Sequence, residues 1–132
     1  MNNTNDDILY AVGKYKQVFN DTLAINLPCE TIYQSIGLKV HVSKKHSHCL
    51  KYLNSISEII SSPDYIGCNP KESSSIEFIK CYDENIKVAV KLDTRKNYLY
   101  VASLYDIKDA KLQTHLHSGR LKEFNKSVDT DE

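Results

Sequence analysis

The residues of this chain that could do chemistry gather in two stretches free of acid. Between Glu30 and Glu58 lie Lys39, His41, Lys44, Lys45, His46, His48 and Lys51; from Ala110 to Lys122 lie Lys111, His115, His117, Arg120 and Lys122. All five histidines fall within them. The densest group, His41 to His46, sits where a helix is expected to begin at Ser43. Unpaired N–H groups and the helix dipole already make a first turn positive, so Lys44 and Lys45 there are misplaced for stability and well placed for an anion. A phosphate bound at that helix start would resolve the conflict, and histidine beside it can move protons near neutral pH. The same residues also read as a solvated lysine face with His46 on a buried apolar stripe, and pattern alone leaves both readings open.

A second group is expected on the last long strand, where Leu99, Val101, Ser103 and Tyr105 would share one face and the two polar residues would mark a cleft mouth or simply meet water. Lys87 and Lys91 fit either a phosphate track or an ordinary solvent face. Gly119-Arg120 offers a phosphate contact or plain turn chemistry. Nine tyrosines could stack on bases, most of them being expected in the core or on the sheet. Cys29, Cys49, Cys68 and Cys81 form no CxxC pair and read as free thiols. Cys49 lies near His41, His46 and His48, but the spacing fits no zinc pattern and a closed site would need distant ligands, so neither metal nor cofactor is expected.

The elements that must position these groups follow from periodicity. A strand is expected within Ile8–Val18, and a short element over Thr31–Ile36 ends at Gly37. Val42, His46, Cys49, Leu50, Leu53, Ile56 and Ile60 recur at three- and four-residue intervals, predicting a helix from Ser43, as N-cap, to Ser61, stopped by Pro63. Gly67 to Ser75 reads as a loop. Three strands follow, Ile76–Tyr82, Ile86–Leu92 and Tyr98–Tyr105, joined by short polar links that favour antiparallel hairpins. In the second, Lys87, Ala89 and Lys91 alternate with apolar residues, predicting a wet face. Asp109 to Lys122 is either a helix or an extended arm. The order gives an α+β domain.

Length and composition, 132 residues and 41% hydrophobic, suit one domain over 8–124, with acid-bearing flexible ends at 1–7 and 125–132. Charge is balanced at 17 basic and 17 acidic side chains, so any nucleic-acid affinity must come from how the charge is distributed. No apolar run approaches the roughly 20 residues of a membrane span and the amino terminus lacks a signal-peptide pattern, so a soluble, cytoplasmic protein without membrane partners is expected.

The strings HVSKKH at 41–46, EIISSPDYIG at 58–67, LYVASLYDI at 99–107 and LHSGRLKEF at 116–124 resemble, in that order, the phage-associated nucleases grouped with barnase, EndoU, the tRNA-cleaving colicins and RelE. The resemblance runs from about Gly13 to Phe124. It implies amino-terminal helical elements packed on a four-stranded antiparallel sheet, and metal-independent endoribonuclease activity of a toxin or of a phage or mobile-element effector. RNA, tRNA among the candidates, is the implied substrate, and an immunity or antitoxin protein the implied partner. The family's working groups, carried over by position, match His41 and His46 with Lys44 or Lys45, and Ser103, the histidines and Ser103 as catalytic residues and the lysines on phosphate; the residues themselves add Lys91, Tyr105 and Arg120 as contacts to phosphate or RNA. A non-catalytic RNA- or protein-binding module, or an inactive virion or mobile-element protein keeping the fold, are the competing readings.

Overall fold

The computed structural model of the chain describes residues 8–124; the termini expected to be flexible lie outside the described residues. In chain order the elements are β1 (Leu9–Lys14), α1 (Gln17–Leu23), β2 (Thr31–Ser35), α2 (Gly37–Lys45), a 3₁₀ helix (Ser47–Ser55), α3 (Ile56–Ser61), β3 (Tyr65–Asn69), β4 (Glu72–Cys81), β5 (Asn85–Asp93), β6 (Tyr98–Ile107), α4 (Asp109–Ser118) and β7 (Leu121–Glu123). One seven-stranded sheet has the order β1-β2-β6-β5-β4-β3-β7. The architecture is α+β, but the expected four-stranded sheet is too small. The antiparallel run β3 to β6 is only its middle, β1 and β2 extend one side through a parallel β2–β6 pairing, and β7 extends the other. The stretch from Gly67, read as a loop, begins inside β3 and turns into β4 after Asn69. Among the described residues no helix is long and apolar enough to cross a membrane.

Turn chemistry closes the central hairpin. The Asp93 carboxylate accepts the N–H groups of Arg95 and Lys96, and Asn97 takes a left-handed conformation at φ 59°, which asparagine tolerates better than most residues. The sheet is covered on both faces. Ile76, Phe78, Val88, Val90, Leu99, Val101 and Leu104 meet Phe19, Ile56, Ile59 and Ile60 in the main core, where Phe19 packs edge-on against Phe78. Ile79 and Ile107 meet Leu112 of α4 and Leu121 in a smaller core on the opposite face. Lys87 therefore does not stand on a wet face: α4 and its flanks cover it, and it is buried.

The expected helix Ser43–Ser61 is three pieces. α2 has already run nine residues when it ends at Lys45, and Ser43 lies inside it rather than capping it. Cys49 and Tyr52 then enter the core three residues apart, the 3₁₀ repeat, before α3 resumes the α-period and Ser62-Pro63 stops it. Intervals of three and four do not separate one helix from these three, which is why the periodicity read as continuous.

Candidate active site

The break moves the lysines. Lys44 and Lys45 occupy the last turn of α2, not the first turn of a helix. Unpaired carbonyls make that end negative, so both lysines suit it, and the conflict that argued for a phosphate at a helix start disappears. The true N-terminus of α2, at Gly37, is about 12 Å away along the axis. Anion affinity here must come from side chains.

A bulge sets which residues of β6 face them. Val90 pairs with Val101 but Ala89 pairs with Ser103, so Ala102 is an extra residue in the strand. Before it the odd-numbered Leu99 and Val101 point into the main core; after it the even-numbered Leu104 does. The four residues expected on one face are thus split, and Ser103 and Tyr105 lie opposite Leu99 and Val101, on the face of Lys87 and Ala89.

The pairing of β2 with β6 stops at Tyr33 and Tyr100, and α2 packs beside the remainder of β6. A shallow groove of ≈ 260 Å³ between them is lined by residues that include His41, Tyr100 and Ala102. His46, the residue after α2, stacks on Tyr105 with ring centroids 5.2 Å apart and an interplanar angle of 25°. The His41 ring lies 6.4 Å from that of His46. Ser103 and Tyr105 are half-buried, and Lys44 and Lys45 are exposed beside the pair. Farther along the face Tyr98 lies 6.1 Å from Tyr33 and 5.8 Å from Tyr100, ring to ring, and Lys91 pairs with Glu72 at 3.2 Å.

Tyr105 also meets a buried charge cluster. Lys87 Nζ lies 5.1 Å from the Tyr105 ring centroid and donates to Glu77 Oε2 at 3.2 Å. Arg120 grips the same carboxylate, Nε to Oε1 at 3.1 Å and Nη2 to Oε2 at 2.5 Å. Burial alone would raise the Glu77 carboxyl, but the Arg120 hydrogen bond and the Lys87 and Arg120 charges outweigh it and hold it below the ordinary carboxylate range. His115 on α4 is also shifted down: burial, then the charges of Arg120 and Lys87, lower its pKa. Its Nδ1 is buried and, among the described residues, has no hydrogen-bond partner.

Of the sequence-predicted residues, the structure brings together His41, His46 and Tyr105, with Ser103 on the same face and Lys44 and Lys45 at its rim. Lys91 stands apart on an ion pair, and most of the Arg120 fork is taken by Glu77. Glu77 was missed. Its signal was there, since a glutamate between Ile76 and Phe78 shares a strand face with Ile79.

Fold and site together describe an α+β protein whose sheet carries a histidine-bearing, cation-lined face. The chain belongs to the family described as phage-Barnase-EndoU-ColicinE5/D-RelE like nuclease3, which matches residues 10–114. That membership points to nuclease activity in general; His115, Arg120 and the block LHSGRLKEF lie beyond the matched residues. No curated relative and no solved structure matches the chain.

Proposed function

We propose that this chain is a metal-independent endoribonuclease in which the ribose 2′-hydroxyl attacks the adjacent phosphate, leaving a 2′,3′-cyclic phosphate and a free 5′-hydroxyl. The observation that supports it best is the placement of His41 and His46, 6.4 Å apart at the free side of β6, with His46 half-buried against Tyr105 and His41 exposed beside it. The reaction needs a base for the 2′-hydroxyl proton and an acid for the departing 5′-oxygen, and two histidines flanking one phosphate can divide that work near neutral pH. Stacking on Tyr105 fixes the His46 ring, which reduces the orientation it must lose in the transition state.

Charge that builds on the phosphorane is met by Lys44 and Lys45 at the rim and by the excess positive charge of the Lys87–Glu77–Arg120 cluster behind Tyr105. Arg120 reaches phosphate only through the part of its guanidinium that Glu77 leaves open. Ser103 hydrogen-bonds a phosphate oxygen, and Tyr33, Tyr98 and Tyr100 offer ring faces to unstacked bases on the approach past Lys91. Because such an activity harms the cell that makes it, we include an inhibitor protein covering this face in the proposal, and tRNA is the first substrate to test.

The test is total RNA and tRNA incubated with the chain in excess EDTA, with product ends mapped. Fragments ending in cyclic phosphate, lost in His46→Ala and in His41→Ala, are expected. Intact RNA with retained, salt-sensitive binding identifies a binding module instead. Cleavage of an all-DNA strand at a comparable rate would falsify the mechanism, since DNA has no 2′-hydroxyl.

A further inference from the structure

After α2 the chain wraps round the free side of β6. His46 stacks on Tyr105 from one face of the sheet; two and three residues on, His48 and Cys49 meet the next residue of β6, Asp106, from the other. His48 Nε2 lies 2.7 Å from Asp106 Oδ1, and the Cys49 thiol donates to the same oxygen at 3.6 Å. One nitrogen, one sulfur and one carboxylate oxygen thus lie within 4.8 Å of one another. We propose that His48, Cys49 and Asp106 form a binding site for a divalent ion of the zinc class, with its fourth position open to solvent.

The donor set suits that class. Imidazole and thiolate select zinc and its neighbours over magnesium or calcium, and three protein ligands with one open position is a common zinc arrangement. The spacing suits it too. Bond lengths of about 2.1 Å to nitrogen and oxygen and about 2.3 Å to sulfur put tetrahedral ligands roughly 3.4 Å (N to O) and 3.6 Å (S to O) apart. The sulfur–oxygen separation already has that value, and His48 must withdraw by about 0.7 Å to let an ion between it and Asp106. It is free to do so, since its side chain is 55% exposed, as Asp106 is 28% exposed, while Cys49 is fixed in the core. Proton accounting is simple. Cys49 releases its proton to solvent, and His48 binds through Nε2 freed of its proton, the ring keeping its N–H at Nδ1.

The sequence hid this site because its third ligand is 57 residues away from Cys49 and arrives only when the chain rounds β6. The site is independent of RNA cleavage: the ligands sit across the strand from His41 and His46, and a bound ion would staple the wrapped segment to β6 whether or not the other face cuts RNA.

The experiment is titration of the full chain with Co(II), followed by displacement with Zn(II). Expected are a thiolate-to-cobalt charge-transfer band with tetrahedral d–d absorption, saturating at one equivalent, and a melting temperature raised by Zn(II). His48→Ala and Asp106→Asn should weaken binding by more than the roughly 10–100-fold that loss of an outer-shell partner produces. Cys49→Ser should abolish the charge-transfer band; because Cys49 is a core residue, the exposed His48 keeps the test decisive if that variant fails to fold. Cys29→Ser should change nothing. Absence of a band, unchanged affinity in His48→Ala, or loss of the band in Cys29→Ser would each overturn the site.

Discussion

Replacing Glu77 by glutamine removes one negative charge from the centre of the buried cluster and almost no volume. Lys87 and Glu77 side chains are each 4% exposed, so after Glu77→Gln the Lys87 ammonium has neither its counter-ion nor water, whereas Arg120, at 23%, keeps some solvent. Removing one partner of a buried pair costs about 3–5 kcal/mol. A lysine can escape by releasing its proton, which at pH 7 costs about 4.6 kcal/mol for an ordinary pKa of about 10.4 at about 1.36 kcal/mol per unit, so the penalty is capped there. We expect a loss of about 3–4 kcal/mol, read in urea as a midpoint lower by roughly 1.5–2 M for a slope of about 2 kcal/mol/M.

The pH dependence gives the prediction a sign. The folded pKa of Glu77 lies below the unfolded one, so its contribution is complete above the ordinary glutamate value of about 4.3 and is lost as pH falls through the folded value. The gap between wild type and Glu77→Gln should be steady at about pH 7 to 8, widen as His115, whose pKa Glu77 raises, takes up its proton, and shrink again below about pH 4.3. Adding Lys87→Met to Glu77→Gln should recover much of the loss, since the stranded charge is gone. A single variant within about 0.5 kcal/mol of wild type at pH 7, or a gap unchanged at acid pH, would refute the reasoning.

Gly67→Ala should destabilise by about 1–3 kcal/mol and loosen β7, because the added Cβ would sit 2.1 Å from the Arg120 carbonyl oxygen, a backbone atom; an unchanged urea midpoint contradicts this. In a histidine NMR titration, His115 should lose its proton below the ordinary value of about 6.5, and lower still in Glu77→Gln because that carboxylate pulls it upward; a His115 midpoint at or above 6.5 is the contrary result. Lys44→Gln with Lys45→Gln should make the salt dependence of single-stranded RNA binding shallower by about 1.4, while folding stability changes by no more than about 1 kcal/mol per lysine. Equal slopes for the variant and wild type would remove those lysines from the RNA path.

The hairpins of β4, β5 and β6 were legible because alternating apolar residues and polar links of a few residues are local signals. What was not legible came from contacts between distant segments. Alternation through Lys87 announces two faces but not that α4 will fold back over the second, and only that cover makes Lys87 a buried residue. The reading of Leu99, Val101, Ser103 and Tyr105 as one face failed at a single inserted residue, because strand sides alternate strictly and nothing in Val101-Ala102-Ser103 marks Ala102 as unpaired. The lysines of α2 were found but given the wrong reason, since a break at His46 cannot be told from a continuous helix by intervals of three and four. His41 and His46 do lie near each other, 6.4 Å ring to ring, but their spacing did not announce it: five residues are about 140° round an α-helix, and His46 leaves α2 as its C-cap.

The two halves of the polar face are joined through Tyr105. One of its sides receives the His46 ring, and Lys87, held by Glu77, lies over the ring as well. The tyrosine can occupy that place only because the Ala102 bulge turns it away from the main core, and Lys87 is held beside it by its ion pair with Glu77. A change at Glu77 therefore has a physical route to His46 through two contacts, Lys87 with Tyr105 and Tyr105 with His46. The buried charge cluster and the His46 ring consequently meet at one aromatic ring. A variant that unpairs Lys87 yet still folds should move the ring NMR resonances of Tyr105 and His46 before it disturbs the sheet, because the ring and the ammonium can shift while the β5–β6 ladder, made of backbone hydrogen bonds, stays in register.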